Sequence, residues 1–167
     1  MNRNKKTTIG LFGTCGNSTW RDDFISLYKE KGINYFNPQL PEGTWTPECA
    51  DIENQHFKKD DIILFPVTNE TTAFGSLAEV GFSINTLLEN SANHRYFIFM
   101  IDDDCIVADP EQRDASIRSR KLVKSKILES NHPNIFVVHT LDDMRELSLK
   151  LYEHITEFND FKLKYAY

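Results

Sequence analysis

The run Asp61-Ile-Ile-Leu-Phe-Pro-Val67 leads through Thr68-Asn-Glu-Thr-Thr-Ala-Phe74 into Gly75-Ser-Leu-Ala-Glu79-Val-Gly-Phe82. The first segment predicts a buried strand, the second a polar loop, and the third a helix that opens at its Gly-Ser pair. Glu79 is expected in the first turn of that helix, at the rim of a sheet, where helix-start amides stabilise a carboxylate. The carboxyl ends of parallel strands are where an α/β protein keeps a reactive group.

Five such strand-like runs alternate with helical patterns along the chain. They cover Thr7 to Gly13, Ile33 to Asn37, Asp61 to Val67, Tyr96 to Ile101 and Ile135 to His139. Short runs that are apolar on both faces are typical of buried parallel strands. Five βα units with right-handed crossovers predict a three-layer α/β sandwich with a five-stranded parallel sheet in the order 2-1-3-4-5. Ligands of such folds bind where strands 1 and 3 end side by side.

Start and stop residues bound several of the helices. Thr46-Pro47-Glu48 and Thr140-Leu-Asp-Asp143 are helix starts with a cap and an early acid. The last helix is predicted over roughly Leu141 to Phe158, and the tail 162–167 is left as a loose end or an interface segment. The apolar residues expected to pack are Trp20, Phe24, Leu27 and Tyr28 on the first helix, which ends at Lys31-Gly32, and Leu122, Val123 and Ile127 on the fourth.

Length, charge and cysteine usage limit the class of protein. A chain of 167 residues (19.4 kDa) without an obvious linker predicts a single domain over 1–167. A net charge of −6 and a pI near 5.4 argue against nucleic acid as a partner. The longest apolar run is too short for a membrane span, and the basic start has no signal-peptide core. Cys15, Cys49 and Cys105 have no metal-ligand spacing, which favours a reduced, cytoplasmic protein.

The loop Gly13-Thr-Cys-Gly-Asn-Ser-Thr-Trp-Arg21 joins strand 1 to helix 1 and is the second candidate site segment. Its glycines let the backbone approach a ligand, and it matches neither the dinucleotide fingerprint nor the P-loop. Arg21 offers a fork of donors suited to a hydroxyl or a phosphate. The alternative is a tight turn that carries a surface arginine.

Three further features bear on the site. Glu79 is preceded by small residues and followed by apolar ones, which fits a partly buried nucleophile. The alternative is a capping acid that faces solvent. Asn37-Pro-Gln39 offers amides to a planar heterocycle, and Trp45 either stacks on a base or covers the core edge.

Other polar residues are expected to have no part in chemistry. Asp60 and Asp61 begin strand 3 at the opposite rim, as a cap or a solvated pair, and Asp102-Asp-Asp104 predicts a solvated loop rather than a metal site. The five histidines are scattered, without a partner that the order reveals. Cys15 is expected to be a small loop residue rather than a nucleophile.

With these motifs the chain resembles the nucleoside 2-deoxyribosyltransferase superfamily. Gly75-Ser-Leu-Ala-Glu79-Val-Gly81 is similar to that family's Gly-Thr-x-x-Glu-hydrophobic-Gly segment, whose glutamate is the nucleophile. A second, less characterised branch of that superfamily has the pattern G-T-C…S-x-W-R…F-N-P. This pattern is similar to residues Gly13 to Arg21 together with Tyr35-Phe-Asn-Pro38. The motifs lie within residues 7 to 101.

The resemblance implies a flavodoxin-like fold and an enzyme that cleaves the N-glycosidic bond of 2′-deoxynucleosides. Glu79 would form a covalent sugar intermediate, and a second, free nucleobase would accept the sugar. The resemblance implies no metal and no organic cofactor, and a homo-oligomer. The candidate substrate-binding residues, from the motifs and from the loops beside them, are Gly13, Thr14, Trp20, Arg21, Asn37, Gln39, Trp45, Gly75 and Ser76.

Two alternatives stay open at this stage. A 5′-monophosphate N-glycosidase, a hydrolase of deoxynucleotides, is favoured if Arg21 and Ser76 bind phosphate. The second alternative is a nucleotide-binding module without turnover. The family carries an aspartate before the glutamate, and the corresponding segment here, Thr71-Thr-Ala-Phe74, has no acid, which keeps this alternative open.

Overall fold

A computed structural model describes residues 6–41, 44, 46–89 and 94–165 of the chain. Strands and helices alternate throughout. They are β1 (Ile9–Leu11), α1 (Trp20–Lys31), β2 (Tyr35–Phe36), α2 (Pro47–Lys59), β3 (Ile62–Val67), α3 (Phe74–Glu89), β4 (Tyr96–Ile101), α4 (Pro110–Ser130), β5 (Ile135–Val138) and α5 (Leu141–Tyr165).

The five strands form one parallel sheet in the order β2-β1-β3-β4-β5. Ile9 of β1 is in register with Tyr35 of β2 and Ile62 of β3, so β1 lies between them. This is the three-layer flavodoxin-like arrangement, and the predicted strand order is confirmed. Its switch point lies between β1 and β3, whose chains continue into helices on opposite faces.

Alternate residues of the central strands build two cores, one on each face of the sheet. Ile63, Phe65 and Val67 of β3 pack with Leu77 and Val80 of α3. The neighbouring residues Ile62 and Leu64 point the other way, toward α1 and α5. The period of two explains why β3 is apolar at every position, since each face of the sheet is covered by helices.

Helix 1 illustrates how the sequence encodes these layers. Trp20, Phe24 and Tyr28 recur every four residues, and all three are buried against the sheet. The helix ends at Gly32, whose φ of 66° is the left-handed conformation that glycine adopts without strain. The predicted stripe and stop of this helix are therefore confirmed.

Element ends differ from the expectation at several places. Strands β1 and β2 are shorter than predicted, because only three and two of their residues pair in the sheet. Helix α3 opens at Phe74, one residue before the Gly-Ser pair. Helix α5 runs on to Tyr165, so the tail to that residue is helical rather than loose. On α4, Leu122 is 61% exposed and is not a core residue, whereas Ile127 is buried.

Candidate active site

Two cavities share one cleft at the carboxyl end of β1, between the β1–α1 loop, α2 and α3. Their volumes are about 410 and 370 Å³, and Phe12, Glu53 and Glu79 border both. The cleft lies at the switch point of the sheet, where the topology predicts a ligand site. Phe12 forms an apolar wall, and the two glutamates are the acidic groups common to both cavities.

The β1–α1 loop is fastened to the end of β3. The Thr14 amide donates to the Pro66 carbonyl at 2.9 Å, and the Thr14 hydroxyl accepts a bond from the Thr68 amide at 3.0 Å. Gly13 has a φ of +96°, and a Cβ there would collide with the Pro66 carbonyl oxygen. Glycine is therefore required at this position, and the loop is held rigidly beside the cleft.

Thr14 and Trp20 support this loop from within the protein. Thr14 is 1% exposed and its hydroxyl bonds to backbone groups of β3 and the loop after it. Trp20 is buried in the α1 core, and its indole N–H donates to the Thr14 carbonyl at 3.0 Å. The expectation that these two side chains contact substrate is corrected, since both face protein.

Arg21 borders the smaller cavity but is only 1% exposed. Its Nε donates to the Leu11 carbonyl at 2.9 Å, Nη1 to Thr14 at 2.6 Å and Nη2 to Gly13 at 3.3 Å. Burial lowers the pKa of its guanidinium. Arg21 is therefore neither a surface arginine nor a free fork of donors, because its three nitrogens hold the loop backbone.

Glu79 projects into the cleft from the second turn of α3 and not, as expected, from the first. The side chain is exposed through the mouth of the cleft rather than partly buried. The cleft walls nevertheless desolvate the carboxyl, and together with the charge of Glu53 they raise the pKa of Glu79 above its ordinary value. In the second turn of a helix, a carboxylate gains little from the helix-start amides.

Glu53 is the site residue that the sequence analysis missed. It is half-buried on α2, and burial raises the pKa of its carboxyl although the Arg21 guanidinium opposes the shift. Ala50, Glu53 and Phe57 all line the larger cavity at spacings of three and four. The signal in the sequence that could have found Glu53 is a single acid within an apolar stripe of a helix.

The remaining sequence candidates are distributed around the smaller cavity. Gly75 and Ser76 border it, in agreement with their predicted position. Pro38 also borders the smaller cavity. Asn37 and Gln39 do not line it: the Asn37 side chain accepts a hydrogen bond from the Gln39 amide, and Gln39 is exposed. Contact of Asn37 and Gln39 with a base stays a prediction. Trp45 lies outside the described residues.

Arg120 of α4 holds the loop that carries Glu79. It is fully buried, and it donates to the carbonyls of Val67 at 3.0 Å and of Thr68 and Thr71 at 2.8 Å. Ser116, one turn earlier, donates to the Thr72 carbonyl at 2.9 Å. The loop then enters α3 through Ala73, whose φ is 52°. No local pattern marked Arg120, because its partners lie about fifty residues away.

The acids expected to form a solvated loop are placed in two ways. Asp103 and Asp104 are exposed, whereas Asp102 is half-buried, and burial raises the pKa of its carboxyl. The described part of the chain contains no cluster of three metal-binding side chains. Asp60 is buried, and its carboxylate bonds His56 Nδ1 at 2.9 Å. It ends α2 as a cap and is not a solvated acid, and His56 does have a partner.

Fold and site together define a flavodoxin-like α/β protein with a dicarboxylate cleft at its switch point. No family model and no curated protein matches the chain. One solved structure similar to it is a conserved protein from Enterococcus faecalis V583. The two share 14% identity over 85% of this chain and 96% of that one, with a TM-score of 0.48. The functional argument therefore rests on the residues of the cleft.

Among the described helices, none combines the length and the apolar character needed to cross a bilayer.

Proposed function

We propose that this protein cleaves the N-glycosidic bond of 2′-deoxynucleosides and transfers the sugar to a second, free nucleobase. The observation that carries the proposal is the pair Glu53 and Glu79, which reach one cleft from two different helices. Two carboxyl groups that flank a scissile bond are the working groups of retaining glycosidases. The proposal also rests on the motif resemblance around Glu79.

In the proposed reaction the Glu79 carboxylate attacks C1′ of the sugar as the C1′–N bond breaks. Glu53 donates its proton to the departing base, so the base leaves as a neutral molecule and Glu53 is left ionised. The sugar is then an ester of Glu79. A second base attacks C1′, Glu53 takes up the proton released from its ring nitrogen, and Glu79 is regenerated.

The electrostatics of the cleft separate the protonation states of the two carboxyls. Desolvation raises the pKa of both, the charge of Glu53 raises that of Glu79 further, and the Arg21 guanidinium limits the shift at Glu53. Two repelling carboxyls lose their protons in separate steps, so the pair can hold a single proton. These directions favour that proton on Glu79 in the free protein, and the proposed reaction proceeds from the form in which it is on Glu53.

The charges and hydrogen bonds around the cleft favour a nucleoside over a nucleotide as the substrate. Among the described residues bordering the two cavities Arg21 is the single cation, and its nitrogens already donate to three carbonyls. The glutamates add negative charge that repels a phosphate. The monophosphate hydrolase therefore stands as the second candidate, favoured by the position of Arg21 alone.

The test is a chromatographic assay with deoxyinosine and free adenine, run in parallel with deoxynucleoside monophosphates. We expect new deoxyadenosine from the first mixture. Glu79→Ala should lower this exchange by about three orders of magnitude or more, because the covalent route is lost. Glu129→Gln, a change at an exposed acid on α4, is the matched control and should keep the wild-type rate.

Three results would contradict the proposal. Retained exchange in Glu79→Ala would remove the nucleophile from the mechanism. Free base from monophosphates alone would favour the hydrolase. Substrate binding without any base release would favour a binding module.

A further inference from the structure

The two cavities of the cleft differ in the side chains that border only one of them. Phe57 and Phe82 border the larger cavity alone, and Phe12 is the aromatic residue that borders both. The described residues that border only the smaller cavity contribute glycine backbone, a proline, a thiol, a hydroxyl and a guanidinium, and no aromatic ring. The larger cavity is therefore suited to a flat aromatic group, and the smaller one to a sugar.

The aromatic lining of the larger cavity comes from separate elements. Phe12, which follows β1, packs edge to face on Phe57 of α2 with ring centroids 4.9 Å apart, so these two rings form one fixed wall. Phe82 comes from α3 and is 71% exposed although it borders the cavity. A ring that keeps most of its surface open beside a cavity can stack on a flat ligand.

Phe82 is also placed relative to the proposed nucleophile. It follows Glu79 by three residues on α3, so the two side chains share one face of the helix. Both border the larger cavity. A base attached to a sugar whose C1′ lies at Glu79 therefore has Phe82 within the same cavity.

Two polar residues of α2 face this cavity as well. Glu53 and Asn54 are adjacent in the chain and both border it, and Asn54 does not border the smaller cavity. Asn54 is exposed, so its amide is open to a ligand. The carbonyl oxygen of an amide accepts hydrogen bonds and its nitrogen donates them, so this side chain pairs with an amino or an oxo group.

We infer that the larger cavity is a purine subsite, in which Phe82 stacks on the base, Glu53 pairs with N7 and Asn54 pairs with the substituent at C6. The inference rests on the proposed function, because it takes Glu79 as the residue at C1′. N7 and the C6 substituent are neighbours on one edge of a purine, as Glu53 and Asn54 are neighbours on α2. A pyrimidine has a single ring and no atom in the place of N7.

N7 suits Glu53 in both halves of the proposed reaction. In the nucleoside N7 is an acceptor, and the Glu53 proton moves to it as the C1′–N9 bond breaks and the bonding pair passes to N9. The base leaves as its neutral 7H tautomer, whose N7–H donates to the Glu53 carboxylate. In the return step N9 of a 7H purine attacks C1′, and Glu53 takes the N7 proton.

The test is isothermal titration calorimetry of the full chain with free bases, which does not depend on turnover. Adenine should bind at least tenfold more tightly than cytosine and than 7-deazaadenine, in which a CH group replaces N7. Phe82→Ala should weaken adenine binding by about 5- to 100-fold, the usual contribution of base stacking on an aromatic ring. Phe161→Ala, at an exposed ring on α5, is the control and should bind adenine as wild type does.

Asn54→Ala tests the contact at C6. Wild type should bind adenine more tightly than unsubstituted purine, and the ratio of the two Kd values should fall by about 2- to 10-fold in Asn54→Ala. Gln55→Ala, at an exposed amide on the same helix, should keep the wild-type ratio.

Each contact has a result that would overturn it. Adenine that does not bind, that binds no better than cytosine, or that binds Phe82→Ala as well as wild type would overturn the purine subsite. Equal binding of adenine and 7-deazaadenine would overturn the N7 contact, and an unchanged ratio in Asn54→Ala would overturn the C6 contact.

Failure of the proposed function gives a different result. Purine binding with the expected dependences but without any base exchange would reject the transfer reaction and keep the subsite. Base exchange with pyrimidines alone would reject the purine subsite and keep the transfer reaction.

Discussion

Glu53 and Glu79 share one cleft, and the charge of one affects the protonation of the other. Desolvation raises the pKa of both carboxyls, and the negative charge of Glu53 raises that of Glu79 further. The repulsion leaves a single proton on the pair, and the proposed reaction uses the form in which Glu53 holds it. The Arg21 guanidinium limits the shift at Glu53.

Glu53→Gln separates the two contributions. We expect the base-exchange rate to fall by about 10² to 10⁴-fold, the usual contribution of a general acid. The pKa of the Glu79 carboxyl should fall, because the repelling charge of Glu53 is gone. The base-exchange assay measures the first effect, and an NMR titration of the Glu79 side chain measures the second.

Asp51→Asn, at an exposed acid on the same helix, is the control and should keep the wild-type exchange rate and the wild-type pKa of Glu79. An unchanged pKa of Glu79 in Glu53→Gln would show that the two carboxyls do not interact.

At the scale of single residues, the sequence placed Glu79 at the cleft but misplaced the side chains of other candidates. Glu79 stands in a motif that a linear pattern can reveal. Trp20 and Arg21 lie in an equally suggestive motif, yet both point into the protein. Glu53 was missed because its role depends on which way α2 is rotated when it packs on the sheet.

At the scale of elements, the β3–α3 loop is held by α4 rather than by its own residues. Arg120 donates to carbonyls of Val67, Thr68 and Thr71. The Val67 carbonyl also accepts from the Asp102 amide and the Thr71 carbonyl from the Cys105 thiol, so Thr68 depends on Arg120 most. Buried carbonyls without donors are costly, so one side chain stabilises the whole connection. The position of α3, and with it Glu79, depends on this contact.

Arg120→Met is expected to lower the free energy of unfolding by about 2 to 4 kcal/mol, since the Thr68 carbonyl loses its donor and the Val67 and Thr71 carbonyls each lose one of two. Urea denaturation of wild type and variant measures the difference. Arg118→Met on the exposed side of α4 is the matched control, expected within about 0.5 kcal/mol of wild type. A loss below about 1 kcal/mol in Arg120→Met would contradict the role of Arg120 in holding the loop.

Element existence and order followed from the sequence, whereas element ends did not. The five strands and their order come from apolar runs, helix signals and the handedness of crossovers. Strand β2 pairs over only Tyr35–Phe36, opposite Ile9 and Gly10 of β1. That limit is a property of two strands and cannot be read from either one.

At the scale of the whole molecule, the cleft should reduce stability at neutral pH. A carboxyl whose pKa is raised in the folded state binds its proton more tightly there than in the unfolded chain. Folding stability therefore decreases as the pH rises from the ordinary glutamate pKa through the raised value. Glu79 is such a group.

Glu79→Gln should therefore become more stable relative to wild type as the pH increases from about 4 to 7. At the acidic end both proteins carry a neutral group at position 79, so their difference in melting temperature reflects the substitution alone. Thermal unfolding across this range measures the trend. A difference in melting temperature that does not change with pH would contradict the raised pKa.

The sequence by itself determined the layered α/β fold, the parallel sheet order and the position of Glu79 near the switch point. These follow from local information, namely the period of the apolar residues, the turn signals and the chirality of the chain. Only the tertiary structure decided that Glu53 faces Glu79, that Arg21 points inward and that Arg120 holds the loop. Each of those depends on how separate helices rotate and pack against one sheet, and that packing is set by contacts between residues far apart in the chain.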